Sequence, residues 1–210
     1  MARRQSVAVI IATFGKDVTE WNGYAARALE SCTRQRRQPD EVIRIHRATL
    51  RQARNAGGRL ARTDYLIFLD ADDELDPFYI ERMLEGSGEL RYPKVRYIQP
   101  GQKVDDAEPA MLLREKPILT GNWMVIGTMI ERSDFLLVKG FDDYPFYEDW
   151  ALWLKIYAAG ARPVPVPEAV YIAHQRPGSR NQPESSESER ITYEIANRFR
   201  EDVNRRIERV

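Results

Sequence analysis

The N-terminal part of the chain alternates between short apolar runs and amphipathic stretches, and this alternation restricts the possible folds more than any other sequence feature. Three apolar runs predict strands, at Val7 to Ala12, Val42 to Ile45 and Tyr65 to Leu69. Apolar residues at helical spacing predict a helix from Trp21 to Cys32, and a stretch rich in Arg and Ala predicts another from Thr49 to Ala61. The order strand, helix, strand predicts an α/β fold with a mostly parallel central sheet flanked by helices.

Three loops follow these predicted strands, at residues 13–16, 46–48 and 70–73. Ligands of open parallel sheets bind in the crevice beyond the carboxyl ends of the strands. We therefore expect the three loops to share one crevice.

The second half of the chain is less regular. Further strands are predicted at Lys94 to Ile98, at Trp123 to Ile130 and at Val164 to Ala173, the last on a sheet edge because it carries prolines. Pro77 opens one predicted helix, and Asp149 to Ala159 forms another.

The C-terminal part divides into a linker and a helix. Residues 177–189 are rich in Pro, Ser and Glu, a composition typical of a mobile linker. The predicted helix at 190–210 carries an apolar stripe formed by Ile191, Ile195, Phe199 and Val203. We predict one domain over 1–176, with this helix capping it or pairing with a second subunit as a homodimer. The helix mixes Glu with Arg, which disfavours a membrane surface.

Charge and cysteine content narrow the class of protein. Lysine and arginine together number 32, as do aspartate and glutamate, and this balance disfavours a broad nucleic-acid surface. Cys32 is the single cysteine, so no disulfide can form within the chain, as is usual in a reducing compartment. Met1-Ala2-Arg3-Arg4 leads directly into a predicted strand, so we expect no signal peptide there, and the sequence contains no apolar run of the roughly 20 residues that cross a bilayer. We expect a cytoplasmic protein.

The sharpest chemical feature is Asp70-Ala71-Asp72, directly after a predicted strand. Two carboxylates so close repel each other unless a cation or hydrogen bonds compensate. Oxygen ligands of this type suit Mg²⁺ or Mn²⁺, which commonly bridge to substrate phosphates. An ordinary strand-to-helix turn, with Asp73 or Asp76 as the helix cap, explains the same residues equally well.

Three other segments carry weaker signals. Asp149 follows Glu148 at the head of an apolar helical face, where it either acts as a general base in a pocket or stabilises the helix dipole. His174 follows the last predicted strand and is either a metal ligand or an ordinary histidine. Arg54 lies in a basic helix segment and either contacts phosphate or faces solvent.

The order of these features resembles the family 2 glycosyltransferases, whose GT-A fold has a Rossmann-like N-terminal half. The first strand with Thr13-Phe14 is similar to the family's opening strand and nucleotide loop. Gln52-Ala53-Arg54-Asn55-Ala56-Gly57, followed by the stretch from Asp64 to Asp73, resembles its most recognisable region. Gly140-Phe141-Asp142 with Glu148-Asp149 is similar to its acceptor-side motif, and Tyr171-Ile172-Ala173-His174 to its C-terminal motif. The resemblance covers residues 5 to 176.

The resemblance implies an inverting, metal-dependent transfer of a sugar from a nucleotide-diphospho-sugar, a UDP-sugar by default, to an acceptor hydroxyl. It implies that Asp72 binds Mn²⁺ or Mg²⁺, that Asp70 contacts the sugar-nucleotide or the metal, and that His174 completes the metal or diphosphate site. Asp149 would be the catalytic base. The implied nucleotide-sugar contacts are Thr13, Phe14, Arg47, Arg54, Asp70 and Ala71, and those on the donor-sugar or acceptor side are Trp123, Gly127 and Glu148. The acceptor stays open between a glycan, a lipid-linked sugar, a protein and a modified DNA base.

One segment departs from the family pattern. Members usually carry an acidic Asp-Gly-Ser stretch after the second strand, and an Asp there helps to bind the base. Here Arg44-Ile45-His46-Arg47 runs almost directly into the helix that carries Arg54. Either His46 or Arg47 would then contact the nucleotide, or both are simply exposed.

Three alternatives stay open. A sugar nucleotidyltransferase shares the sheet, the nucleotide and the metal, but it normally has a glycine-rich loop where this chain has Thr13-Phe14-Gly15-Lys16. A glycoside hydrolase also uses two carboxylates, but it has no need of the adjacent pair Asp70 and Asp72. A degenerate GT-A module would bind a nucleotide or a glycan without catalysis.

Overall fold

The computed structural model describes residues 4–16, 18–113, 116–176 and 185–208. Within these ranges the strands are β1 (Val7–Phe14), β2 (Glu41–Arg47), β3 (Tyr65–Asp70), β4 (Glu74–Leu75), β5 (Leu90–Ile98), β6 (Met129–Glu131) and β7 (Pro163–His174). The helices are α1 (Val18–Thr33), α2 (Leu50–Leu60), α3 (Tyr79–Glu85), α4 (Arg132–Leu137), α5 (Glu148–Ala158) and α6 (Ser185–Ile207). The α/β class predicted from the sequence is confirmed.

The strands of the described residues form one sheet in the order β2-β1-β3-β6-β5-β7-β4. Parallel pairing joins β1 to β2, β1 to β3 and β5 to β7, whereas β6 is antiparallel to both neighbours and β4 is antiparallel to β7. The expectation of a mostly parallel sheet is therefore only partly right. It holds for the N-terminal half, where helices connect successive strands, and it fails where β6 inserts between the two parallel parts.

Burial on both faces explains why β1 and β3 are apolar along almost their whole length. Every residue from Val7 to Thr13 in β1 is buried, and so is every residue of β3 up to Leu69, because helices and sheet neighbours cover both faces. Thr49 caps α2 through a capping box with Gln52, which fixes where this helix begins. In α2, a Cβ on Gly57 would lie 2.4 Å from Ile10 Cγ2, so this close packing against β1 requires glycine.

The predicted strand from Trp123 to Ile130 is largely wrong, since only Met129–Glu131 pairs in the sheet. The preceding residues form a largely buried loop, and two of its backbone carbonyls accept hydrogen bonds from side chains instead of from a neighbouring strand. Trp153 Nε1 donates to the carbonyl of Met124 at 3.3 Å, and the Tyr79 hydroxyl donates to that of Gly127 at 2.7 Å. An apolar run indicates burial, and here these bonds replace a neighbouring strand.

Strand β7 is an edge over only part of its length. Its prolines pair on one side with β5, whereas Tyr171 and Ile172 also pair with β4. The edge prediction therefore holds for the proline-containing half and fails for the half that approaches the acidic turn at 70–73.

The C-terminal helix begins earlier than predicted, at Ser185, so residues 185–189 are helical rather than part of a linker. The rest of the predicted linker from 177 to 184 lies outside the described residues. Its stripe of Ile191, Ile195, Phe199 and Val203 is buried, and the helix packs on α5. The stripe therefore caps its own domain, and a homodimer through this helix stays a prediction without support. Among the described residues, no helix combines the length and apolar character needed to cross a membrane.

Candidate active site

A cavity of about 500 Å³ opens beyond the carboxyl ends of β1 and β3. One wall is the acidic turn from Asp70 to Asp73, and another is the start of α5 with Glu148 and Asp149. Aromatic and apolar side chains complete the lining, among them Phe14, Trp21, Leu50, Tyr97, Phe146 and Tyr147. Sequence-distant acids thus face one space.

The acidic turn brings three carboxylates together. One oxygen each of Asp70, Asp72 and Asp73 lies within 4.8 Å of the others. The pKa of Asp73 is raised well above its ordinary value, first by burial and then by repulsion from Asp70 and Asp72. These three side chains fit a divalent cation, because oxygen ligands suit Mg²⁺ or Mn²⁺ and an ion among them would relieve the repulsion.

Strand β7 holds the turn in place. The Tyr171 hydroxyl donates to Asp73 Oδ2 at 2.8 Å, and the backbone N–H of His174 donates to Asp73 Oδ1 at 2.8 Å. The backbone N–H of Asp73 donates to the carbonyl of Asp70 at 3.1 Å, which closes the turn. Asp73 therefore anchors the turn with both oxygens, while Asp70 and Asp72 line the cavity beside it.

Arg54 links the two acidic walls. Its Nη2 lies 2.5 Å from Asp70 Oδ1 and its Nη1 lies 2.6 Å from Glu148 Oε1, with only 4% of the side chain exposed. These carboxylates raise the pKa of Arg54, so the guanidinium stays charged despite burial. Arg54 thus bridges β3 and α5 and lines the cavity, and its contact with a nucleotide-sugar stays a prediction.

Asp149 sits in the first turn of α5. The residue before this helix, Tyr147, has a φ of 61°, a left-handed conformation that is uncommon outside glycine and often found at functional sites. Burial raises the pKa of Asp149 to about 6, and repulsion from Glu148 adds to this, whereas Arg54 and a hydrogen bond from Asn122 oppose it. Such a carboxyl is ionised at neutral pH and basic enough to accept a proton.

His174 lines the cavity, but its ring makes other contacts. Nε2 lies 2.8 Å from Glu74 Oε1, and Nδ1 lies 3.4 Å from Arg27 Nη1. Hydrogen bonding to His174 is the main cause that lowers the pKa of Glu74. The backbone N–H of His174 joins this pair to the acidic turn at 70–73, because it donates to Asp73.

The loop after β2 contacts the loop after β1, but the prediction that it shares the crevice is wrong. His46 Nδ1 lies 3.0 Å from the Thr13 hydroxyl, and its Nε2 lies 3.0 Å from the carbonyl of Gly15. Arg47 is exposed and donates to the carbonyl of His46. Phe14 lines the cavity, 5.2 Å from Trp21 between ring centroids. His46 and Arg47 are outside the cavity lining, so the 46–48 loop supports the crevice without facing it.

Three other predicted residues lie at different depths. Ala71 is buried in the cavity wall. Gly127 lies behind the site, where a Cβ would be 2.3 Å from Tyr171 Cδ2. Trp123 lies outside this cavity, and its ring packs edge-on against Tyr92 at 5.1 Å.

Sequence reasoning missed several residues that the fold brings to the site. Arg176 pairs with Asp72, Asn122 bonds Asp149, and Tyr171 holds the turn. The motif Tyr171-Ile172-Ala173-His174 was the available signal, because Tyr171 is its first residue and Arg176 follows it closely. Asn122 comes from an irregular loop, where no periodicity pointed to it.

The sequence model described as glycosyl transferase family 2 matches residues 41–134, which include β3 and the acidic turn. A comparison with curated protein sequences finds no match.

Solved structures share the architecture. The crystal structure of S. aureus TarS 1-349 in complex with UDP-GlcNAc is 15% identical, with a TM-score of 0.68 over 94% of this chain and 66% of that one. The crystal structure of GalNAc-T7 with UDP, GalNAc and Mn²⁺ is 16% identical, with a TM-score of 0.64 over 82% of this chain and 44% of that one. This chain thus spans less than two thirds of the length of each. The chain therefore has the GT-A fold of these structures, and over residues 41–134 it is similar to the family 2 glycosyltransferases.

Proposed function

We propose that this protein is a metal-dependent, inverting glycosyltransferase that moves a sugar from a nucleotide-diphospho-sugar, by default a UDP-sugar, to an acceptor hydroxyl. The observation that carries the proposal is a single cavity with an acidic turn on one wall and Asp149 on another. The UDP-sugar is favoured because the similar TarS and GalNAc-T7 structures contain UDP-GlcNAc or UDP.

Asp70 and Asp72 would hold Mn²⁺ or Mg²⁺, and Asp73 would fix their turn. Such an ion supplies charge that stabilises a departing diphosphate. His174 is the remaining predicted contributor to the metal or diphosphate site, and its ring would have to leave Glu74 to reach either.

Asp149 accepts the proton of the acceptor hydroxyl. The hydroxyl oxygen then bonds to the anomeric carbon from the face opposite the leaving diphosphate, so the configuration inverts and the nucleoside diphosphate departs. Arg54 keeps the base ionised by lowering the pKa of Asp149, and it holds α5 against β3 through Glu148 and Asp70. Phe146 and Tyr147 line the cavity beside Asp149.

Calorimetry tests the donor site. UDP, GDP, dTDP and ADP are titrated with and without Mn²⁺ into the parent, into Asp72→Ala and into the control Asp105→Ala, which removes an exposed acid outside the cavity. We expect one nucleotide to bind only with Mn²⁺, in the parent and the control but not in Asp72→Ala. Absence of binding by all four would overturn the donor-site assignment.

Product analysis tests the reaction. A panel of UDP-sugars and hydroxyl acceptors is incubated with the parent and with Asp149→Asn, and NMR determines the anomeric configuration of the product. The inverted product should form only with the parent, while the variant keeps its nucleotide binding. Binding without turnover in both proteins would favour a degenerate module, and formation of a nucleotide-sugar from a sugar phosphate would favour a nucleotidyltransferase.

A further inference from the structure

Arg176 occupies an unusual place beside the acidic turn. Its Nε lies 2.6 Å from Asp72 Oδ2, and its guanidinium carbon lies 5.4 Å from the ring centroids of both Trp21 and Tyr24. The side chain is 30% exposed and that of Asp72 is 18% exposed, so the pair is half shielded from water. An arginine from the C-terminal end of the domain thus binds an acid at the centre of the sequence motif.

This ion pair conflicts with a cation on the same carboxylate. A divalent ion bound to Asp72 would place two positive charges next to the guanidinium, and repulsion in a half-buried site is stronger than in water. Arg27 adds to the positive charge here, since its Nη2 donates to the backbone carbonyl of Asp72 at 3.2 Å. Arg176 must therefore weaken its bond to Asp72, or gain another anion, when a metal binds.

We infer that Arg176 is an internal counter-ion of Asp72 that exchanges onto the donor's diphosphate when a metal ion takes its place. The inference rests on the proposed function, because it needs a donor with a diphosphate. Arg176 lines the same cavity as the acidic turn, and a planar guanidinium forms paired hydrogen bonds with phosphate oxygens. The Trp21 and Tyr24 rings provide a surface along which the guanidinium stays near the cavity during the exchange.

The exchange couples metal and nucleotide binding. Without a nucleotide, Arg176 competes with the metal for Asp72 and lowers its affinity. With a nucleoside diphosphate present, the released guanidinium gains phosphate contacts, so each ligand strengthens the binding of the other by the same factor. Free metal would then occupy the site poorly until the donor arrives.

The test compares Mn²⁺ affinity with and without UDP, measured by electron paramagnetic resonance of the free ion. In Arg176→Gln, removal of the competing cation should tighten Mn²⁺ binding without UDP by about tenfold, the size expected for one half-buried ion pair. The enhancement by UDP should fall by at least the same factor. Arg176→Lys keeps the charge and should retain most of the competition.

Arg198→Gln is the matched control, because Arg198 also lies over two aromatic rings and near an acid, Asp142, but outside the cavity. It should leave both affinities unchanged. Tryptophan fluorescence gives an independent readout, since movement of the guanidinium along the Trp21 ring should change the emission of the parent on Mn²⁺–UDP binding and not that of Trp21→Phe.

Two failures are distinguishable. If the parent binds neither Mn²⁺ nor UDP, the proposed function fails and the exchange fails with it. If the parent binds both cooperatively and Arg176→Gln shows the same two Mn²⁺ affinities, the proposed function stands and the counter-ion role is wrong.

Discussion

Removal of Arg54 should destabilise the fold more than loss of any ordinary surface charge. The guanidinium is 4% exposed and makes ion pairs of 2.5 and 2.6 Å with Asp70 and Glu148. Arg54→Met fills similar space but leaves these two carboxylates, and the nearby Asp149, without their shared cation. Loss of one partner from a buried pair typically costs about 3–5 kcal/mol of unfolding free energy, and we expect a loss in this range.

The loss should depend on pH. The pKa of Asp149 is about 6 in the parent, where Arg54 lowers it. Because the variant lacks Arg54, we expect the pKa of Asp149 to rise above 6. A carboxyl whose pKa is raised by folding binds more protons in the folded than in the unfolded protein. The folded protein therefore loses stability as the pH rises from the unfolded pKa of Asp149 through its folded pKa. The difference between parent and variant should therefore be larger at pH 8 than at pH 5.

Urea unfolding followed by tryptophan fluorescence measures both quantities. Arg82→Met is the control, because Arg82 forms a 2.8 Å pair with Glu85 on the surface and surface pairs contribute little to stability. A loss below about 1 kcal/mol for Arg54→Met, or an equal loss at the two pH values, would refute the view that this bridge neutralises buried acids.

Three further predictions follow from packing and ionisation. Gly127→Ala should lower the free energy of unfolding in urea by about 1–3 kcal/mol, because its Cβ overpacks against Tyr171. Gly23→Ala in α1, whose Cβ meets nothing within 4 Å, should raise that free energy by roughly 0.5–1 kcal/mol, and similar values for the two variants would contradict the packing argument. Cys32 is buried with its pKa raised to about 12, so a disulfide reagent at pH 8 should label it only as the protein unfolds. The kcat/KM for transfer should rise about tenfold per pH unit up to about pH 6 and then level off, because Asp149 must be ionised; a profile that is flat from pH 5 to 8 would exclude it as the base.

The parts of the fold that follow from local pattern were predictable from the sequence. Strands β1 and β3 are buried on both faces, so they are apolar along almost their whole length and recognisable in the sequence. The capping box of α2 involves only Thr49 and Gln52, which are three residues apart. The antiparallel insertion of β6 was not predictable, because three residues carry too little periodicity. Its place depends on pairing with β3 and β5, which are distant in sequence.

The candidate site divides in the same way. Asp70, Asp72 and Asp149 stood out because an acid at the end of an apolar segment is locally conspicuous. The ion-pair partners of Arg54 did not follow from the sequence, since nothing near Arg54 distinguishes a buried bridge from a phosphate contact. Only the fold, which brings α5 and β3 to the same helix α2, shows the bridge.

The dependence of the acidic turn on β7 has a consequence for protein synthesis. The hydrogen bond from Tyr171 to Asp73 joins residues 98 positions apart. At ordinary translation speeds the ribosome needs about 5–20 s to make that much chain. During this delay β4 has no partner strand and β5 lacks its neighbour β7, so the nascent chain carries an open edge along β5 that a chaperone could cover.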